Sequence, residues 1–215
     1  MRFKDRRDAA ERLAGCLAAY RGRRPLVLGV PRGGVPMARI IADLLEGDLD
    51  VVLVRKLRAP GQPELAIGAV DESGAVLKGR FFDTAAPSYV QAEIRAQLET
   101  IRQRRALYTR THPRIDLAGR MLIVVDDGVA TGASMAAAVR ALRTHEPERI
   151  VVAAGVAPPA SVANLQAVAD DVVCLHTPDD FEAVGQFFDD FTQVSDATVT
   201  AALSRPRAPA DAGPR

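Results

Sequence analysis

The chain has no tryptophan, two cysteines and three histidines among its 215 residues. Cys16 and Cys174 lie far apart in sequence, so a disulfide-stapled scaffold is excluded. Both sit among apolar residues, which predicts buried free thiols in a cytoplasmic protein. So few Cys and His, with no close spacing, do not make a zinc site. Neither sign of charge is in excess. The 28 Lys and Arg against 27 Asp and Glu leave a net charge of +1, which is no global footprint of a nucleic-acid binder. No apolar run approaches the ~20 residues that a membrane span needs. The start, Met1-Arg-Phe-Lys-Asp-Arg-Arg-Asp8, is charged and no apolar stretch follows it, so no signal peptide is expected. G-x-x-x-x-G-K-[ST] and G-x-G-x-x-G are both missing, which removes P-loop and dinucleotide-binding readings.

What the chain does have is one informative stretch, Met121 to Met135. Met121 to Val125 is apolar without interruption, as in a strand buried on both faces of a parallel sheet. Asp126 and Asp127 follow it. Then come Gly128, Thr131, Gly132, Ala133 and Ser134, after which Met135, Val139 and Leu142 fall at helical spacing. A strand, an acid pair, a loop of small residues and a helix start each have a chemical use. The first turn of a helix carries N–H groups without intrahelical partners and a partial positive charge. A small-residue loop lets a phosphate approach them, and hydroxyls add donors. Carboxylates accept from sugar hydroxyls, and open α/β sheets place ligands at the carboxyl ends of strands. The combination suits a ribose 5-phosphate.

The remaining text alternates strands and helices, which implies a mostly parallel sheet in a single domain over residues 1–204. An amphipathic helix is expected over Asp5 to Tyr20, with Cys16 on its apolar face. Strands are expected at Leu26–Val30, Asp50–Lys56, Arg149–Ala157 and Asp171–Leu175. Helices are expected at Pro36–Leu45, Ser88–Tyr108, Ser161–Ala169 with Ser161 as cap, and Asp196–Leu203. Ala59–Glu64 is rich in turn residues, and Ile67–Val70 with Ala75–Lys78 reads as a hairpin across Asp71–Gly74. Arg32 suits bidentate phosphate contact, with Gly33 and Gly34 clearing space beside it. Arg102, Arg104 and Arg105 read as a solvated helix face, with a dimer surface or a nucleic-acid contact as alternatives. Four of the seven Phe stand in the segment Thr177–Phe191, where a flat ring could stack on a base or simply close a small core. Residues 205–215, with three prolines, read as a disordered tail.

Val124-Val-Asp-Asp-Gly-Val-Ala-Thr-Gly-Ala-Ser134 closely resembles the phosphoribosyl pyrophosphate (PRPP) motif of type I phosphoribosyltransferases. The resemblance implies a Rossmann-like parallel sheet of about five strands with flanking helices, a lid or insert over about 57–110 and a small hood over about 177–204. It implies that Asp126 and Asp127 bind the ribose hydroxyls. The 5′-phosphate falls to Ala130, Thr131, Gly132, Ala133 and Ser134, and the pyrophosphate to Arg32, Gly33 and Lys56. The hood faintly resembles that of the hypoxanthine-guanine enzymes. By position, Phe181 would stack on the base, Val184 would line its pocket, and Asp189 would lie near Mg²⁺, itself held mainly by PRPP. The reaction implied is displacement of pyrophosphate from C1 of PRPP by a nitrogenous, purine-like base, in a homodimer. One departure is Ala130, where the 6-oxopurine enzymes carry a proton-transferring acid; Glu64 in the lid is a substitute candidate. A non-catalytic PRPP or nucleotide sensor, which could contact nucleic acid through Arg21–Arg24 and Arg102–Arg105, and a sugar-phosphate hydrolase stay open as alternatives.

Overall fold

The computed structural model describes residues 1–108 and 115–204, with the side chains of Pro63 and Glu64 outside the described set. The tail expected over 205–215 also lies outside it. The strands are β1 (Leu26–Gly29), β2 (Asp48–Val51), β3 (Val54–Ala59), β4 (Gln62–Asp71), β5 (Val76–Lys78), β6 (Met121–Gly128), β7 (Arg149–Val156) and β8 (Asp171–His176). The helices are α1 (Arg6–Cys16), α2 (Gly34–Leu45), α3 (Pro87–Tyr108), α4 (Ala133–Arg143), α5 (Pro159–Gln166) and α6 (Asp196–Ser204).

Five strands form one all-parallel sheet in the order β2-β1-β6-β7-β8. Its two faces bury two apolar clusters. Val27, Ile123, Val125, Val151 and Ala153 pack with α1, α2 and α6 on one side. Leu26, Leu28, Leu122, Val124 and Val152 pack with α4 and α5 on the other. Every residue from Met121 to Val125 is buried, and each such aliphatic side chain contributes about 1.5–3 kcal/mol. Continuous burial on both faces explains why β6 reads without polar interruption. The chain turns in opposite directions from β1 to β2 and from β1 to β6. That makes the β1–β6 boundary the switch point at which open α/β sheets take ligands.

Asp50–Lys56 is not one strand. β2 ends at Val51 beside β1, and β3 starts at Val54 in a separate antiparallel sheet, β3-β4-β5. Val52 and Leu53 between them are buried, so the apolar pattern runs through the break unmarked. The loop expected at Ala59–Glu64 shrinks to a tight hairpin, because Ala59 already pairs with Gln62. The second hairpin forms as expected, with Gly68 opposite Lys78 and Val70 opposite Val76. Its Ile67, Ala69 and Val70 are buried, and the small sheet packs on α3 and α4.

Two further expectations fail for local reasons. Cys16 is exposed, because it falls at the end of α1 just as the chain leaves the sheet in a short 3-10 turn. Arg105 is not solvated. Its guanidinium bonds Asp50 at 2.7 Å and Glu72 at 2.6 Å, with only 17% of the side chain exposed. It ties α3 to β2 and to the hairpin turn.

Candidate functional site

β6 does not stop before the acid pair. It runs through Asp126 and Asp127 to Gly128, so the two carboxylates alternate onto opposite faces of the sheet. Asp126 lines an open cleft together with Lys56, Gly128, Val129, Ala130, Thr131, Gly132, Ser134 and Met135. Burial, and then the neighbouring Asp127 carboxylate, push its pKa well up from the ordinary value; either makes a second charge there unfavourable. Its Oδ1 accepts from the Asp127 backbone N–H at 2.9 Å.

Asp127 faces the other layer. Arg6 Nε, from the first turn of α1, donates to its Oδ2 at 2.8 Å, and both side chains are largely buried. Arg6 also donates to the Thr192 carbonyl at 2.8 Å and lies 4.0 Å over the Phe191 ring. One guanidinium therefore joins the N-terminal helix, the acid pair and the hood. The sequence offers Arg6 only as one of several polar residues opening an amphipathic helix.

The loop after β1 closes on the same place. The Val30 N–H donates to the Val125 carbonyl at 2.9 Å. A Cβ on Gly34 would stand 2.2 Å from that carbonyl oxygen, and one on Gly33 would stand 2.0 Å from Asp127 Oδ2. Both positions admit only glycine for want of space. Arg32 sits in this loop, after a cis Pro31–Arg32 peptide.

The β6–α4 loop is shaped as a cradle. Gly132 has φ +75°, in the left-handed region that glycine favours, and it starts α4 with no side-chain cap. The first-turn N–H groups are thus open to a ligand, that of Ala133 making only a long bond to Thr131 Oγ1 at 3.5 Å. Thr131, Ala133 and Ser134 are exposed beside them. Ser161 is not the cap of α5, since Pro158 takes that position. Its buried hydroxyl donates instead to the Ala130 carbonyl at 2.5 Å and pins the loop from behind. No short-range pattern could reveal a bond spanning 31 residues.

Lys56 reaches the cleft from β3 rather than from the main sheet. In the hood, Val184 packs against the cleft residue Gly128, where an added Cβ would meet its Cγ1 at 2.5 Å. Phe181 is half-buried and stacks on Phe187 with ring centroids 5.7 Å apart. The Asp189 carboxylate is engaged by Arg2 at 2.7 Å in an exposed pair. Among the described residues no three potential protein ligands gather around a metal position. Asp126 is a hard oxygen donor facing the cleft, which fits a Mg²⁺ held mostly by a ligand's own oxygens. The side chain of Glu64 lies outside the described residues.

Comparison with known proteins agrees with this geometry. Over 209 residues the chain is 45% identical to two Mycobacterium tuberculosis proteins, "Putative phosphoribosyl transferase Rv0571c" and its counterpart in a second strain, covering 94% of this chain. It spans about half, 46%, of those relatives' own length. It superposes on the crystal structure of TT1426 from Thermus thermophilus with a TM-score of 0.87 and 47% identity, covering 95% of this chain and 98% of that one. Among the described residues no helix is long and apolar enough to cross a membrane. Residues 4–192 match the phosphoribosyl transferase domain, and the chain belongs to the type I phosphoribosyltransferase family.

Proposed function

We propose that the protein transfers the 5-phosphoribosyl group from PRPP to a nitrogenous, purine-like base and releases pyrophosphate. The observation that carries this reading is the cleft at the switch point. It brings a carboxylate, an uncapped helix start, two hydroxyls and a lysine around one space. Asp126 accepts from the ribose hydroxyls, with Asp127 held beside it by Arg6. Thr131 and Ser134 donate to the 5′-phosphate along with the free N–H groups of α4. These contacts fix the sugar so that its C1 faces the base. Lys56 and Arg32 meet the negative charge that grows on the departing pyrophosphate. Mg²⁺, when bound, neutralises part of that charge, with Asp126 as its protein ligand. Val184 and Phe181 bound the space for the base under the hood. The protein works in the cytoplasm as a homodimer.

Pyrophosphate release from PRPP with Mg²⁺ and a panel of purine-like bases tests the reading. Release that depends on one base and is lost in Asp126→Asn is the expected result. Ala130 favours a second reading. Its side chain is exposed in the loop and has no proton to give or take, so a PRPP- or nucleotide-sensing protein would keep this cleft without turnover. Tight PRPP binding with no release for any base would select that reading.

A further inference from the structure

α3 buries Val90, Ile101 and Tyr108, but also Glu93 and Gln97. Polar side chains on the inner face of a helix are unfavourable there unless each is hydrogen-bonded. Both are, and their bonds lead to one short piece of β3. Gln97 accepts from Arg55 Nε at 2.9 Å and donates through its own amide to Glu93 Oε1 at 3.0 Å. Glu93 Oε1 accepts from the Arg58 backbone N–H at 3.1 Å and from Arg58 Nε at 2.9 Å. Tyr89, one turn earlier, donates from its hydroxyl to the Arg58 carbonyl at 3.1 Å. Tyr89, Glu93 and Gln97 stand four residues apart, so they line up as one stripe on the helix. That stripe holds β3 at Arg55 and again at Arg58, and Lys56 stands between the two points.

The grip falls where the β3–β4 ladder is irregular. Lys56 pairs with Ala69 and Leu57 with Gly68, but Arg58 pairs with Ala66 and Ala59 with Gln62. The register therefore breaks on both sides of Arg58, with Ile67 as the extra residue of a β-bulge. Bulges twist the strands around them and re-aim side chains. At this bulge the Arg58 N–H and carbonyl both bond side chains of α3.

We propose that Glu93 is a positioning residue for Lys56: by fixing the Arg58 backbone at the bulge it aims the lysine into the cleft, with Tyr89 and Gln97 in support. The inference rests on the PRPP reading above and deepens it, by naming what holds one of its cations in place. Lys56 reaches the cleft from outside the five-strand sheet, so that sheet does not set its position. Burial works to raise the Glu93 pKa, but the bonds from Arg58 and Gln97 outweigh it and hold the pKa below its ordinary value. An ionised carboxylate is a strong acceptor for a backbone N–H. Apolar residues at both positions would attach α3 to the small sheet about as firmly. What the polar pair adds is a fixed path for the strand. Arg58 keeps 48% of its side chain exposed, so Glu93→Leu leaves no cation buried.

Calorimetric titration of the full chain with PRPP and with ribose 5-phosphate, both with Mg²⁺, tests the inference in a double-variant cycle. Lys56→Ala should weaken PRPP about tenfold, as for loss of one charge-assisted bond, and leave ribose 5-phosphate within about twofold. Glu93→Leu should weaken PRPP about fivefold in the unmodified background, and by less than about twofold once Lys56 is already alanine. Glu93→Gln, which keeps an acceptor for the Arg58 N–H, should bind PRPP within about twofold of the unmodified protein. Tyr89→Phe deletes only a hydroxyl from a half-buried ring and should show the same dependence on Lys56, at about threefold. It carries the test if Glu93→Leu does not fold. A merely structural carboxylate would lower PRPP affinity equally with and without Lys56. That result, an unchanged affinity in both α3 variants, or a Lys56→Ala protein that binds PRPP at full strength overturns the inference and leaves the PRPP reading standing. If the unmodified protein binds neither PRPP nor ribose 5-phosphate, the PRPP reading itself falls, and the inference with it.

Discussion

Replacing Arg6 with leucine should destabilise the whole fold, although Arg6 lies at the start of the first helix. The change removes a charge that is 15% exposed from a carboxylate that is 13% exposed, at a separation of 2.8 Å. Breaking a buried pair from one side costs about 3–5 kcal/mol, because the remaining charge stays desolvated and unpaired. The residual exposure lets some water reach Asp127, so the lower end of that range applies. Loss of the cation–π contact with Phe191 adds about 0.5–1 kcal/mol, which brings the total to about 3–4 kcal/mol. With a urea m-value of about 2 kcal/mol/M, the unfolding midpoint should fall by about 1.5–2 M. The double variant Arg6→Leu with Asp127→Asn removes both charges and should recover about 2 kcal/mol of the loss. Urea unfolding followed by circular dichroism at pH 7 measures all three proteins. A loss under about 1 kcal/mol for the single variant, or a double variant no more stable than the single, would refute the reasoning.

Gly34→Ala places a Cβ 2.2 Å from the Val125 carbonyl oxygen and 3.0 Å from Asp126 Cα. Both are backbone atoms of the central strand, so chemical denaturation should show a loss of about 2–3 kcal/mol. Gly33→Ala instead meets Asp127 Oδ2, the atom that Arg6 holds, so the carboxylate must leave its buried partner and stability should fall by about 3 kcal/mol as well. Asp126→Asn should melt higher than the unmodified protein at pH 7 while losing affinity for PRPP. Asp126 has its native pKa raised above the ordinary 3.8. Between those two values the folded state therefore binds more protons than the unfolded chain. Stability then falls as pH rises through that window, and the penalty is fully present above it. The advantage of Asn should accordingly vanish in melting curves recorded below about pH 4. Ser161→Ala frees the Ala130 carbonyl, a loss of about 1 kcal/mol, and should raise KM for PRPP about fivefold with little change in kcat.

What could be read from the sequence was what local pattern encodes. The β6–α4 unit combines an apolar run, an acid pair and a small-residue loop within one short stretch, Met121 to Met135, so its strand, its loop and its place at the carboxyl edge were all legible. The alternation of strands and helices likewise announced the parallel sheet. Val52 and Leu53 hid a sheet change, because a buried linker has the same apolar text as a buried strand. Arg6 and Ser161 were silent for a different reason. Their partners stand 121 and 31 residues away, and a polar residue near a helix start reads the same whether it faces solvent or a carboxylate. Arg104 and Arg105 are adjacent and alike, yet the roughly 100° step of a helix separates them, and it is Arg105 that reaches Asp50 and Glu72 in the interior.

The acid pair gains its meaning from the same alternation. On a strand, neighbouring residues face opposite sides, so Asp126 and Asp127 report to different layers of the fold. Asp126 belongs to the α4 side, where burial and then the Asp127 charge raise its pKa. Asp127 belongs to the α1 side, where Arg6 supplies one and passes the connection on to Phe191 and Thr192 of the hood. A ribose held by Asp126 would therefore couple the phosphate loop to the hood through a single residue step in β6. The hood carries Phe181 and Val184, the candidate base contacts, so sugar binding and base binding would be linked through Arg6. Loss of Arg6 should then weaken a base even in protein saturated with PRPP, whereas loss of Ser161, which supports only the loop, should not. Base titrations of the two variants at saturating PRPP separate these outcomes, and equal effects would show that the strand step carries no such coupling.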